Sequence, residues 1–347
     1  MNFEYNQIMK YNLKSHSLIS MRDTMTNLGI EPYRGDQIFK WIWQKNAKDF
    51  SVMTNISKEL KESLSSKFTI SGLQIEKKLL AKDGSKKFLL ALEDNKKIEA
   101  VFIPEGKRKT VCVSTQIGCP LHCKFCATGL MGFIRNLKAY EIADEIRIIQ
   151  ENIDNKITNI VFMGMGEPLL NLKEVMDAIS ITCSSIGLSI SQRYTTVSTV
   201  GLIQGIHALL LSPLKVKLAI SLNFPDEKMR KEMMPITKKN PLKEVLKLAK
   251  EYSLKKNMVT FEYVIIDKLN DRIKDAQRLL QLLKGIPSKI NLISYNPYPL
   301  LPYEQPSEKK VEKFLQCLLT SHHTITLRKS RGQEILAACG QLAALNT

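Results

Sequence analysis

The chain has 347 residues, 51 of them Lys or Arg against 34 Asp or Glu, for a net charge of +17, and 44% of it is hydrophobic. That length admits one large domain with an appendage, or two ordinary domains, and a sizeable core; no apolar run reaches the roughly 18 residues that a membrane-spanning helix needs. The charge favours a polyanionic partner such as RNA, although the basic pairs, from Lys77-Lys78 to Lys309-Lys310, are scattered rather than gathered in one block.

The polar start, Met1-Asn-Phe-Glu-Tyr5, lacks the charged-then-apolar plan of a signal peptide, so a cytoplasmic chain is expected. Residues 1–68 read as short helices: Ile38, Trp41 and Ile42 share a face, and Ile56, Leu60 and Leu64 form a stripe four residues apart. Both tryptophans, Trp41 and Trp43, fall here, either packing a small helical core or meeting RNA. Residues 69–104 change to strand-like segments at 74–80, 87–92 and 97–103, separated by the turn-formers Asp83-Gly84 and Asp94-Asn95. From 105 onward strand and helix alternate. Short segments rich in Val, Ile, Phe or Thr predict strands at 110–114, 157–163, 192–198, 215–221, 258–265 and 288–294. Amphipathic stripes such as Ile142, Ile146, Ile149 and Ile153 predict helices between them. Six such units imply parallel strands joined by right-handed crossovers, an α/β fold with an incomplete (β/α)6 barrel and ligands at the C-terminal strand ends. A last helix near 307–320 and an extended segment 323–327 close the chain. The expected division is a helical accessory domain (1–68), a strand-rich connector (69–104) and a partial barrel with a C-terminal tail (105–347).

The seven cysteines (112, 119, 123, 126, 183, 317, 339) are an odd number clustered around one loop. That usage fits metal or catalytic thiols in a reducing compartment better than a disulfide framework. Cys119, Cys123 and Cys126 are spaced CxxxCxxC, with Phe125 directly before the last. A structural zinc site takes four protein ligands, and this segment offers three thiols, with His122 as the remaining donor on a zinc reading. Three thiolates on a 4Fe-4S cluster instead leave one iron open to a small molecule. The spacing, with its Phe, resembles the signature of the radical S-adenosylmethionine (SAM) enzymes, which implies that the open iron binds the methionine end of SAM. Gly164-Met-Gly166-Glu167-Pro168, after the second strand, is similar to the GEP motif of those enzymes, whose backbone and Glu meet the SAM ammonium. The same likeness marks Ser198, Ser221-Leu222-Asn223 and Asn296 as cofactor contacts. Each offers a hydroxyl, an amide or main-chain groups, and taken singly each reads as a turn or cap residue.

Cys112, in the first barrel strand, and Cys339, in the tail, are by composition small hydrophobes. The segments Cys112-Val-Ser-Thr-Gln-Ile-Gly-Cys-Pro120, Cys126-Ala-Thr-Gly129, Gly132-Phe-Ile-Arg-Asn136, Val161-Phe-Met-Gly-Met-Gly-Glu-Pro168, Ser198-Thr-Val-Gly201, Met234-Pro-Ile236 and Ala338-Cys-Gly-Gln341 set them in a wider pattern. From Glu99 onward the chain resembles the RlmN-type dual-specificity RNA methyltransferases, which methylate carbon 2 of an adenine in 23S rRNA and in tRNAs. The N-terminal region looks like that family's RNA-binding appendage. The resemblance implies that Cys339 takes a methyl group from one SAM, and that a radical made from a second SAM removes a hydrogen from it. The methylene then adds to adenine, and Cys112 resolves the adduct by forming a disulfide with Cys339. Glu99 occupies the family's proton-acceptor position, and the base stays open between Cys112 and Glu99. The partners implied are 23S rRNA and tRNA and a flavodoxin- or ferredoxin-type reductant, for a monomer without a membrane. Two departures stand out: Asn223 replaces the usual His, and Ser294 replaces the usual Pro before Tyr-Asn-Pro297. The same five cysteines would serve a Cfr-like enzyme acting on adenine carbon 8, and a zinc-stabilised, non-catalytic RNA-binding protein is the reading from another class. Cys183 and Cys317 read as packing residues.

Overall fold

The computed structural model describes residues 10–344, so the polar pentapeptide at the N-terminus lies outside the described residues. The chain opens with β1 (Tyr11–Asn12), then three helices, α1 (Leu18–Asn27), α2 (Tyr33–Trp43) and α3 (Lys58–Lys67), and returns through β2 (Phe68–Thr69), which pairs in parallel with β1. Ile38, Phe39, Ile42 and Trp43 of α2 are buried, and Phe39 and Trp43 sit 6.3 Å apart. Trp43 is therefore core. Trp41 stays half-buried, its Nε1 donating to Asn55 and its ring lying 3.8 Å from Lys45 Nζ. The Ile56 stripe is shorter than expected, because the Ser57 hydroxyl accepts from Leu60 N–H and caps α3 one residue after Ile56.

Next come β3 (Gln74–Leu80), β4 (Lys86–Ala91) and β5 (Lys97–Glu105), an antiparallel meander, then β6 (Arg108–Cys112), antiparallel to β5. The cysteine segment follows, between the short strands β7 (Gln116–Gly118) and β8 (Phe133–Asn136), with α4 (Ala127–Leu130) inside the excursion. The alternation then runs α5 (Ala139–Glu151), β9 (Asn159–Phe162), α6 (Leu172–Cys183), β10 (Thr195–Thr199), α7 (Ile203–Leu211), β11 (Lys217–Ser221), α8 (Glu227–Met233), α9 (Leu242–Lys255), β12 (Val259–Ile265), α10 (Ile273–Leu283), β13 (Ser288–Ser294), α11 (Glu308–Leu319) and β14 (Thr324–Arg328).

One ten-stranded sheet holds the order β14-β13-β12-β11-β10-β9-β6-β5-β4-β3, parallel from β6 to β14. Six β/α units are present as expected, and the extended segment at 323–327 proves to be a seventh parallel strand. The meander extends the barrel sheet, and β5 runs on to Glu105, across the expected boundary at 104.

Side chains alternate across each strand. On the outer faces Ile160, Val197, Leu218, Phe261, Ile290 and Leu292 are fully buried, as are Ile142 and Ile149 of α5. Burying one such side chain contributes about 1.5–3 kcal/mol. The opposite faces turn Cys112, Ser198, Glu262 and Arg328 into the barrel interior, where ligands can be held.

Candidate active site

The cysteine loop is stapled at its base. Cys119 N–H donates to the Gly132 carbonyl at 2.7 Å, and at Gly118, with φ +74°, an added Cβ would lie 1.9 Å from that same oxygen. Farther along, Lys124 N–H donates to Met233 O, Cys126 N–H to Cys123 O and Ala127 N–H to Gly340 O. Phe125 points inward, edge-on to Phe224 at 5.7 Å, among Met233, Met234, Ile266 and Tyr295. Burial, with Cys126 adding to it, pushes the Cys119 thiol up to about 12, and burial with both neighbouring thiols pushes Cys123 well above the ordinary range. Crowded, desolvated thiols are stable as thiolates only with a cation among them, which is the donor set an iron–sulfur cluster requires. His122, the fourth ligand of a zinc reading, has its Nδ1 3.3 Å from the Gly129 carbonyl. Among the described residues, no three His, Cys, Asp or Glu side chains gather closely enough for a single ion.

Beside the loop, at the C-terminal ends of β9 to β13, lies a cleft of about 840 Å³, mouth included. Cys123, Cys126, Glu167, Glu262, Tyr295 and Cys339 are among the residues that line it, with Phe125, Gly166, Ser198, Ser221 and Asn223. Gly166 has φ +96° and lies against Gln116, where a Cβ would come within 2.5 Å of side chain. Glu167 is 3% exposed; its oxygens accept from Leu169 N–H at 3.0 Å and Val200 N–H at 2.9 Å. Burial pushes its carboxyl up to about 7 against the pull of those amides. Asn223 has φ +55° and accepts from Val264 N–H through Oδ1.

Two expected contacts lie elsewhere. Leu222 is fully buried outside the cleft, its N–H donating to Glu262 O and its carbonyl accepting from Arg230 Nε. Asn296 lines a different cavity, donating from Nδ2 to the Cys339 carbonyl at 3.3 Å and accepting from Gln333. Two cleft residues were not among the contacts expected from the sequence. Glu262 is a lone carboxylate in an apolar strand, legible only as an inward-facing position, and burial raises its pKa. The Tyr295 hydroxyl is buried with no partner among the described residues, a polar group awaiting a ligand.

Cys112 and Cys339 line one narrow cavity with Met163, Asn296 and Arg328, and Cys339 also lines the cleft. Both are free thiols whose pKa is raised by burial; for Cys339, Arg328 opposes the rise. The tail that carries Cys339 is fastened on several sides. Gly332 N–H donates to Asp83, Lys87 Nζ to Leu336 O, Thr128 Oγ1 to Leu342 O at 2.6 Å, and Gln341 Nε2 to Pro297 O. Glu99 belongs to this fastening. Its Oε1 is ion-paired with Lys87 Nζ at 2.8 Å and its Oε2 accepts from Ala343 N–H at 2.9 Å. At 5% exposure it is buried, and it lines neither the cleft nor the cysteine cavity. Cys183 and Cys317 pack partly buried against the main core.

Residues 113–280 match the radical SAM superfamily profile, and residues 11–70 match the ribosomal RNA large subunit methyltransferase N-terminal domain. The chain is 42% identical to the dual-specificity RNA methyltransferase RlmN of Pelobacter propionicus over 334 residues, 96% of each chain. It is 44% identical to the protein of the same name from a Nitratiruptor species over 327 residues, 89% of this chain and 92% of that one. A crystal structure of a radical SAM methyltransferase from Sphaerobacter thermophilus superposes with a TM-score of 0.91 at 37% identity, covering 96% of this chain and all of the other.

Proposed function

This chain belongs to the family of RlmN-type dual-specificity RNA methyltransferases, radical SAM enzymes acting on carbon 2 of adenine in 23S rRNA and tRNA, and from that premise we propose how its residues divide the work. Cys119, Cys123 and Cys126 hold the 4Fe-4S cluster. Gly166, Glu167, Ser198, Ser221, Asn223 and Glu262 hold SAM, with Phe125 walling the cluster side and Tyr295 supplying a hydroxyl. When bound, cluster and SAM supply the methyl group and the one-electron chemistry that activates it. Adenine carbon 2 lies between two ring nitrogens and is too electron-poor for polar methylation, so the protein presents the methyl on its own sulfur. Cys339 is the carrier, because it faces both the cofactor cleft and the cavity shared with Cys112. Once the adduct has given up its odd electron, which the cluster would accept when bound, Cys112 takes the carbon-2 proton. Its thiolate then attacks the Cys339 sulfur, and the S–S bond forms as the sulfur–carbon bond breaks. The base keeps the electron pair and takes a proton to complete its methyl group. Leu222 and Asn296 support the site from behind, Leu222 through its main chain and Asn296 by holding the tail.

The accessory region, residues 1–68, binds RNA, and a one-electron reductant of the flavodoxin or ferredoxin type serves the cluster. The chain acts as a cytoplasmic monomer; no described helix is long and apolar enough to cross a membrane. The observation that carries this reading is that Cys112 and Cys339, 227 positions apart in sequence (339 − 112), line one cavity beside the cysteine loop. Its test is the variant Cys112→Ala, which is expected to accumulate a covalent protein–RNA adduct. Clean release of methylated RNA by that variant would count against it. Nucleoside mass spectrometry of wild-type product distinguishes 2-methyladenosine from the carbon-8 isomer.

A further inference from the structure

A groove of about 1180 Å³, mouth included, opens at the C-terminal ends of β13 and β14, between the start of α11 and residues 329–333. Arg328 and Ser330 line both this groove and the cavity of Cys112 and Cys339, so the two spaces adjoin with Arg328 at the junction. The groove carries the cations Lys309, Arg328 and Lys329, and Glu308 and Glu312 are its acidic members. Lys310, beside Lys309, is held by Asp267 and Asp271 at 2.6 and 2.7 Å, whereas no carboxylate lies within ion-pair distance of Lys309, Arg328 or Lys329 among the described residues. Arg328 is half-buried, and its guanidinium meets one hydrogen-bonding partner, Met163 Sδ at 3.8 Å. A guanidinium has five N–H donors in a planar fork that matches phosphate. Cys339 and Glu262 favour the charge of Arg328 without meeting its N–H donors, which stay open to an incoming oxyanion.

Cys339 has an open side on each of two spaces. The cleft side belongs to the cofactor, so a second substrate must come through the other, and the groove is the space that adjoins it. A base in folded RNA has to be unstacked to reach a sulfur at that depth, which leaves its flanking phosphates crowded and in need of cations.

We propose that this groove is the path by which the RNA strand reaches Cys339, with Lys309 and Lys329 holding backbone phosphates at the mouth and Arg328 clamping a phosphate beside the target adenine. The assignment rests on the reading of the chain as an adenine methyltransferase. The test is titration of an RNA stem-loop carrying one unpaired adenine onto the cluster-loaded full chain across a salt series. The double variant K309E/K329E is expected to bind about tenfold more weakly. The slope of log K against log salt should fall by about 1.4, since each phosphate that a lysine neutralises on single-stranded RNA adds about 0.7 and the variant neutralises two fewer. Arg328→Met is expected to weaken binding too, and to reduce the RNA captured covalently when combined with Cys112→Ala. Cluster absorbance and far-UV dichroism report whether fold and cleft are intact. Wild-type affinity and salt slope in K309E/K329E would overturn the proposal. So would an Arg328→Met chain that binds RNA normally yet no longer takes up a methyl group on Cys339, because Arg328 would then act on the thiol. Failure of the underlying reading is told apart by the wild-type chain, which in that case methylates no adenine at all.

Discussion

Glu167 shows how burial sets the working range of a single carboxylate. Desolvation raises its pKa to about 7, so the group is neutral below that pH and anionic above it. Only the anion pairs with the ammonium of SAM. SAM affinity of the cluster-loaded chain, measured by equilibrium dialysis, is therefore expected to fall as pH drops through about 7, approaching tenfold per unit. In Glu167→Gln the dependence should flatten at the weak limit; a wild-type affinity that is flat from pH 8 to 6 would remove Glu167 from ammonium binding. Glu99 makes the opposite case. Lys87 and Ala343 N–H occupy its two oxygens, which suits a fastener of the tail better than a base. Glu99→Gln is expected to turn over more slowly without accumulating an RNA adduct, and amide exchange over residues 337–343 should rise. An adduct as abundant as that of Cys112→Ala would assign the proton to Glu99. The sequence marked both glutamates but not this difference, because it depends on residues 87 and 343 meeting across the fold.

Among the elements, those whose signal is local were legible. The β/α alternation was written in short apolar strands and in helix stripes such as Ile142, Ile146 and Ile149, and it placed all six expected parallel strands. β14 was harder to read, because its inward positions are Thr324, Thr326 and Arg328, and a strand polar toward a lumen looks like a loop. β12 itself was legible, but Glu262 was not, because a single carboxylate in an apolar strand carries no sign of what it faces. Asn296 was placed in the cofactor set, and only the fold shows it on the Cys339 side, since a side chain after a strand end can turn either way. The β7–β8 hairpin is the element on which the cluster depends most directly. Gly118→Ala would bring a methyl group against the Gly132 carbonyl in a left-handed backbone, a conformation costing about 1–2 kcal/mol for a non-glycine residue even before the clash. The expected outcome is a folded chain, normal by far-UV dichroism, that retains clearly less iron and sulfide after anaerobic reconstitution than wild type. Equal iron content in the two proteins would mean that the loop does not need this staple.

For the molecule as a whole, the question is how an RNA-binding appendage is kept in register with a barrel. One contact between them is ionic and buried. Lys14, just after β1, donates to Asp144 of α5 at 2.8 Å; Leu73 N–H donates to the other oxygen at 2.8 Å, and Arg147 completes the cluster. Burial on its own would raise the pKa of Asp144, but Arg147 and Lys14 outweigh it and hold the carboxyl below the usual carboxylate range. A folded-state pKa below the unfolded value contributes stability that is present above about pH 4 and lost as pH falls through the folded value. The junction is thus expected to be firm at neutral pH and to release in acid. Asp144→Asn leaves Lys14 buried without its anion and Arg147 with Glu151 alone, and breaking a buried pair in this way typically costs about 3–5 kcal/mol. The loss should be local to the junction. Hydrogen exchange at neutral pH is expected to quicken over residues 10–73 and α5 while β9 to β13 stay protected, and RNA affinity should fall with SAM affinity retained. The variant's stability should also lose the share of its dependence on pH below about 4 that Asp144 contributes, so that its acid limb is shallower than that of the wild type. Uniform exchange across both regions, or an unchanged acid limb, would show that the appendage is held by its apolar contacts and not by this cluster.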